Sequence, residues 1–109
     1  YGGGGFRIAG ETHSGSMLVC PDRSFAWGVN ASEDLSVASL SDVIAENAQI
    51  EVLLIGCGAR MGMPRADIRD ALKEYSIVPE WMDTGAACRT FNVLLAEDRA
   101  VAAALIAVA

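Results

Sequence analysis

The residue types that point most directly to chemistry lie in the segment 82–95, which reads Met-Asp-Thr-Gly-Ala-Ala-Cys-Arg-Thr-Phe-Asn-Val-Leu-Leu. The pattern predicts a strand end, a tight turn and a helix that begins at Thr84 or Gly85, both suited to a helix N-cap. The first N–H groups of a helix have no intrahelical partner and carry partial positive charge. With Arg89 close to this first turn, the segment indicates a small anion-facing site beside Cys88.

A second loop with chemical interest is the segment 56–62, Gly-Cys-Gly-Ala-Arg-Met-Gly, which follows the apolar run Ile50–Ile55. A nearly continuous apolar run is typical of a buried parallel strand. In parallel sheets, ligands gather at the carboxyl ends of the strands, and both loops leave strands at that edge. We therefore predict that the two loops line one crevice that holds a small molecule or an anion. The predicted ligand-binding residues are Gly56, Gly58, Arg60, Thr84, Cys88, Arg89 and Asn92.

Each of these features also has a structural explanation. Gly56-x-Gly58 lacks the rest of the dinucleotide fingerprint and the Gly-Lys-Ser/Thr of a phosphate loop, so a strand exit that needs positive φ is favoured. Cys88, near a helix N-terminus and Arg89, could be a reactive thiolate, but a buried cysteine usually acts as a small apolar side chain. Because the single histidine, His13, lies among the first strands, we predict that Cys88 is structural and assign no catalytic residue.

Two alternatives stay open for the charged and sulfur-containing groups. Arg89 either binds an anion or forms a surface ion pair with Asp83 or Glu97. A Cys57–Cys88 disulfide is conceivable if the two loops face each other. The odd total of three cysteines, without short-range spacing, instead indicates a reducing compartment.

Length and composition exclude several classes of protein. The 109 residues predict one domain, 1–109, and the 52% hydrophobic content argues against disorder. The net charge of −6 argues against binding to nucleic acid or to an anionic membrane. No apolar run reaches ~18 residues, so no membrane insertion is expected. Without Cys-x-x-Cys or a cofactor fingerprint, we predict no metal and no cofactor.

The first residue is not an initiator methionine, which indicates a trimmed chain or a fragment. We expect the protein in the cytoplasm, or in the mitochondrion if it is eukaryotic.

The amino-terminal half carries strand and helix signals in turn. Short apolar segments at 6–9, 14–20 and 24–29, separated by turn residues, predict an antiparallel β meander. Helical spacing then runs from Leu35 to Ala48, with Ser39 or Ser41 as a possible cap.

The carboxy-terminal half alternates strands with helices. The pattern predicts strands at 50–55 and 77–82 and helices at 64–75 and from 84 or 85 to about 97; for 101–108 a strand is favoured over an Ala-rich helix. This order favours parallel pairing. The predicted fold class is α/β or α+β, with an N-terminal antiparallel β meander joined to a small mixed, largely parallel sheet with flanking helices.

The chain as a whole resembles a known family. The segments that carry the resemblance are 4–7 (Gly-Gly-Phe-Arg), 15–18 (Gly-Ser-Met-Leu), 50–58, 82–92 and 95–105. They are similar to a small family of uncharacterised bacterial and archaeal domains related to mitochondrial complex I assembly factor three. One departure is Gly56-Cys57-Gly58, where the family commonly shows Gly-Thr-Gly, so residue 57 offers a thiol in place of a hydroxyl.

The resemblance implies both a fold and a function. The implied fold is a β meander joined to a small α/β layer whose mixed central sheet has an antiparallel last strand. No catalytic activity is assigned to the family as a class, and its mitochondrial members assist the assembly of respiratory complex I. The resemblance therefore predicts a non-enzymatic protein-interaction domain whose partners are subunits of a respiratory complex. The alternative is a small-molecule or anion-binding domain, or a weak enzyme, with its site at loops 56–62 and 83–89.

Overall fold

The computed structural model describes residues 5–8, 11–20, 24–29, 31–45, 50–60, 62 and 64–107, which form two sheets and three α-helices. Strands β1 (Gly5–Ile8) and β2 (Glu11–Ser14) pair antiparallel in a two-stranded sheet. Of the antiparallel amino-terminal strands, only these two belong to this sheet, and the strands that follow them belong to a second, larger sheet. Gly15, with φ of 79°, separates β2 from the next strand. The pattern did not predict β2 as a separate strand because its residues, Glu-Thr-His-Ser, include no apolar side chain.

The main sheet has five strands in the order β4-β3-β7-β5-β6. These strands are β3 (Met17–Val19), β4 (Ser24–Ala26), β5 (Val52–Gly56), β6 (Val78–Met82) and β7 (Val101–Leu105). Strand β5 pairs parallel with β6 and β7, whereas β3 pairs antiparallel with β4 and β7. The predicted mixed sheet is therefore confirmed. The last strand lies at its centre, antiparallel to β3 as the resemblance implied but parallel to β5.

The helices differ in how closely they follow the sequence pattern. Helix α1 (Ser41–Ala45) is short, α2 spans Ala66–Lys73, and α3 spans Thr84–Ala96. The helical spacing that begins at Leu35 forms an α-helix only from Ser41, one of the two predicted cap positions, because a 3₁₀ turn at 38–40 precedes α1. Reciprocal bonds cause this: the Ser36 N–H donates to Ser39 Oγ at 3.0 Å, and the Ser39 N–H donates to Ser36 Oγ at 3.1 Å. The predicted end of that helix, 46–49, lies outside the described residues.

The core lies on both faces of the main sheet. Leu53 and Ile55 of β5 face the larger apolar cluster, which includes buried residues of α1 and α2. Leu54 faces the opposite side, where α3 contributes Ala87 and Phe91 to a smaller cluster. All three β5 residues are buried, as expected for a strand that lies between two others. The alanines of β7 are also buried, and Ala103, which lies on the same side of the sheet as α3, has a small side chain that allows the helix to lie close.

Candidate functional site

The two predicted loops meet at the carboxyl ends of β5, β6 and β7, and we call this part of the molecule the strand-exit edge (residues 56–62, 83–89 and 106). The Thr84 N–H donates to the Gly58 carbonyl at 2.9 Å, and the Gly58 N–H donates to Thr84 Oγ1 at 2.9 Å. The Thr84 hydroxyl in turn donates to the Ile106 carbonyl at 2.7 Å. Thr84 is fully buried, so its polar atoms bind the neighbouring backbone and face no solvent. Two of the predicted residues are thus in direct contact.

Gly56 and Gly58 of the first loop each have a conformational or steric role. A Cβ at Gly56 would lie 2.9 Å from Thr84 Cα and 3.2 Å from Ala87 Cβ, so this glycine permits the close approach of α3. Gly58 has φ of +98°, which L side chains rarely adopt. The structural explanation of Gly56-x-Gly58 as a strand exit that needs positive φ is therefore confirmed at Gly58.

The amino terminus of α3 already has a negatively charged partner. Asp83, and not Thr84 or Gly85, is the N-cap: its Oδ1 accepts a hydrogen bond from the Ala86 N–H at 2.8 Å. This carboxylate lies at the end of the helix that carries partial positive charge. An additional anion at the strand-exit edge would have to share the helix end with it.

Cys57 and Cys88 lie on opposite faces of the main sheet. Cys57 contacts the larger apolar cluster and Cys88 packs against the smaller one, on the opposite face of the sheet. Cys57 and Cys88 are both free thiols, so the conceivable Cys57–Cys88 disulfide is not formed. Burial raises the pKa of the Cys57 thiol. Burial also raises the pKa of the Cys88 thiol, although the charge of Arg89 opposes that shift. Both shifts disfavour the thiolate that a nucleophile requires.

The remaining predicted residues are on the surface. Arg60, Arg89 and Asn92 are exposed. Within the described part of the chain, Arg89 forms no ion pair with either Asp83 or Glu97. The predicted set thus divides into a buried frame around Thr84, the half-buried Cys88 and three exposed polar side chains.

Anion binding at the strand-exit edge stays a prediction that a titration can test. Phosphate added to the isotope-labelled protein should shift the amide resonances of Thr84 and Gly85 in a saturable way. An Arg89→Gln variant should weaken the effect, and Arg69→Gln, on α2, serves as the matched control. Equal shifts in all three proteins would contradict a specific site.

Sequence reasoning missed two residues that hold this edge together. Ser16 is buried, its Oγ accepts a hydrogen bond from the Ala107 N–H at 2.9 Å, and its carbonyl accepts one from the Trp27 N–H at 2.9 Å. Ile106 connects β7 to Thr84 and, through its N–H, to the Gly56 carbonyl at 3.0 Å. A serine after a glycine resembles any turn residue, so no signal in the sequence identified its partner 91 residues away.

The described residues offer neither a metal-binding group nor a membrane-spanning helix. In the part of the chain that the structure describes, no three His, Cys, Asp or Glu residues are grouped so that they could hold a metal ion. Of the described helices, none combines the length and apolar character needed to cross a bilayer.

The fold and the strand-exit edge define a small α+β domain with a mixed five-stranded sheet. The chain belongs to the family described as "Protein of unknown function (DUF498/DUF598)", whose model matches residues 1–106.

The relatives of this chain include eukaryotic assembly factors and an uncharacterised bacterial protein. NADH dehydrogenase [ubiquinone] 1 alpha subcomplex assembly factor 3 of Danio rerio is 43% identical over 106 residues, which are 97% of this chain and 61% of that protein. The human protein of the same name is 32% identical over 97% of this chain and 58% of its own length. An uncharacterised protein of Rhodobacter capsulatus is 35% identical over 97% of this chain and 80% of its own length. The chain therefore spans about three fifths of the length of the eukaryotic relatives, and the predicted family resemblance is confirmed.

Solved structures share the same fold. A crystal structure described as an outer membrane protein from Bartonella henselae has a TM-score of 0.93 and 46% identity, covering 100% of this chain and 92% of that one. An NMR structure of a Rhodopseudomonas palustris protein has a TM-score of 0.85 and 39% identity, covering 100% of this chain and 80% of that one.

Proposed function

We propose that this chain is a non-enzymatic protein-interaction domain that assists the assembly of a respiratory membrane complex of the complex I type. The observation that carries the proposal is the 43% identity, over 97% of the chain, with the assembly factor of Danio rerio. Relatives named as the same assembly factor in Homo sapiens and Drosophila melanogaster match over 97% and 94% of the chain. The matched region therefore includes nearly every element of the fold.

The hydrogen bonds at the strand-exit edge support a binding role over a catalytic one. The hydroxyl of Thr84 and the backbone of Gly58 bind each other, and Asp83 caps the adjacent helix. These groups hold two loops in fixed positions. The two cysteine thiols closest to this edge have pKa values that burial raises, which makes them poor nucleophiles.

The charge of the chain indicates which kind of partner it suits. A net charge of −6 opposes the approach of nucleic acid and favours protein surfaces that carry basic residues. We therefore expect a partner of the full-length protein to be a protein subunit with a basic contact surface.

Deletion of the gene in the organism that encodes this chain tests the proposal. Native electrophoresis should show less of the assembled complex, and membranes should oxidise NADH more slowly. Pulse-labelling should show that the subunits are still synthesised but stay in smaller subassemblies. Re-expression of the full-length protein should restore both the abundance of the assembled complex and the rate of NADH oxidation.

Two outcomes would contradict the proposal. One is a deletion strain with normal complex abundance and normal NADH oxidation. The other is a purified protein that turns over a metabolite while the deletion leaves assembly unchanged, which would favour the small-molecule alternative.

A further inference from the structure

The two longer helices of the domain differ in the charge that they carry. Helix α2, Ala-Asp-Ile-Arg-Asp-Ala-Leu-Lys, has four charged side chains in eight residues, as expected for a helix with a solvated face. Helix α3, Thr-Gly-Ala-Ala-Cys-Arg-Thr-Phe-Asn-Val-Leu-Leu-Ala, has only Arg89 in thirteen residues, although the chain has 14 acidic residues in all. A helix with so little charge has an outer surface suited to contact with protein.

The outer surface of α3 can be assigned from its buried side. Thr84, Ala87 and Phe91 are buried against the sheet, so helical periodicity places Arg89 and Val93 on the opposite side. Val93 is 56% exposed, more than any other large apolar side chain that the structure describes. We call this surface the α3 outer face and define it by Arg89, Val93, Ala96 and Glu97.

The charges on this face have a self-complementary order. Arg89 and Val93 lie four residues apart on α3, and Glu97, the C-cap residue just beyond the helix, follows after four more. The Glu97 N–H still donates to the Val93 carbonyl at 3.2 Å, so the three residues form one ridge along the helix and its end. At 1.5 Å per residue, each charge lies about 6 Å along the axis from Val93, on opposite sides of it. In the described part of the chain, neither Arg89 nor Glu97 forms an ion pair. Each charge is therefore available to an opposite charge on another molecule.

We propose that two copies of the chain associate through the α3 outer face as an antiparallel helix pair. A two-fold axis at Val93 places Arg89 of each copy beside Glu97 of the other, and Val93 against its own counterpart. A two-fold interface uses the same surface on both copies and needs this kind of self-complementarity. The small side chain of Ala96 permits close approach of the helices.

The net charge favours this face over other surfaces of the chain. Two copies with a charge of −6 repel each other, and they approach at least cost where carboxylates are few. Between Thr84 and Ala96 there is no acidic residue. One pair of short helices buries less than the ~800 Å² per partner of a stable interface, so we expect a weak dimer, observed at high protein concentration.

Charge reversal gives the test. Sedimentation equilibrium of the purified chain, at roughly physiological salt, should show a monomer–dimer equilibrium. Arg89→Glu places like charges at both ends of the pair, and so does Glu97→Arg. Each variant should weaken association by about tenfold or more. An equimolar mixture of the two variants should restore it, because both contacts then join opposite charges.

The controls separate this interface from folding defects and from other interfaces. An acidic residue nearer the helix amino terminus and a basic one at its carboxyl terminus both suit the helix dipole, so both variants should keep the wild-type circular dichroism. Arg69→Glu, the same charge change on exposed α2, should leave association unchanged.

A wild type that stays monomeric would overturn the proposal, as would a dimer that both single variants retain. Failure of the mixed variants to associate would also overturn it. If, instead, the α3 outer face binds a different protein, the wild type stays monomeric and the proposal of self-association is wrong.

Discussion

Thr84→Val is the substitution that most directly tests the buried frame of the strand-exit edge. Valine has nearly the shape of threonine but lacks the hydroxyl, so the change leaves the Gly58 N–H and the Ile106 carbonyl without their partner. A buried polar group that loses its partner costs about 1–3 kcal/mol. Ile106 is buried and Gly58 is half-buried, so water can reach the Gly58 N–H more easily than the carbonyl. We expect a loss of about 2–4 kcal/mol of unfolding free energy in total.

Urea denaturation measures this loss. With an m-value of about 2 kcal/mol/M for a domain of this size, the midpoint should fall by about 1–2 M. Thr84→Ser is the matched control: it keeps the hydroxyl and removes one buried methyl group, which costs on the order of 1 kcal/mol. If Thr84→Val is no less stable than Thr84→Ser, the hydroxyl does not connect the loops in the way that the distances indicate.

Three further predictions concern the core and the cysteines. Leu53→Ala should cost about 2–5 kcal/mol in a denaturation experiment, because the side chain is fully buried in β5, and an unchanged midpoint would contradict that placement. Gly62→Ala should destabilise the domain by about 1–3 kcal/mol, because the new Cβ would lie 2.6 Å from Cys57 Sγ. Adding Cys57→Ala should recover part of that loss, whereas strictly additive losses would show that the two residues do not clash. Alkylation of Cys88 should have its pH midpoint above that of an ordinary thiol, because burial raises its pKa, and rapid alkylation near pH 6 would refute a structural role.

The parts of the fold that the sequence predicts well are those with one dominant physical signal. The apolar run at 50–55 predicts β5, and the turn with cap-type residues at Thr84 and Gly85 predicts the start of α3, whose observed bounds are Thr84–Ala96. The helical spacing that begins at Leu35 is not an α-helix before Ser41 because Ser36 and Ser39 bond each other's backbone locally, a competition that hydrophobic spacing does not register. Strand β2 was missed because it is wholly polar and, among the described strands, pairs only with β1.

The position of the candidate site could be predicted from the sequence, but the hydrogen bonds that its atoms form could not. Strand order alone predicts that the loops after β5 and β6 meet, and Gly58 does contact Thr84. The third partner, Ile106, comes from the end of β7, and the sequence does not reveal that the threonine hydroxyl binds there. Such pairings depend on register between distant strands, and register is fixed by tertiary packing.

The firm attachment of α3 to the sheet links the buried residues around Thr84 to the proposed binding of another protein or of a second copy of the chain. The amino end of the helix is held by the Asp83 cap and by Thr84, and its inner side is held by Phe91 against the sheet. A helix fixed in this way presents Arg89 and Val93 in constant positions, so a partner that docks there loses little additional conformational freedom in this chain. The same polar atoms that suggested a ligand site therefore have a positioning role in the structure. Binding of another protein then depends on the exposed side chains and not on the buried loops.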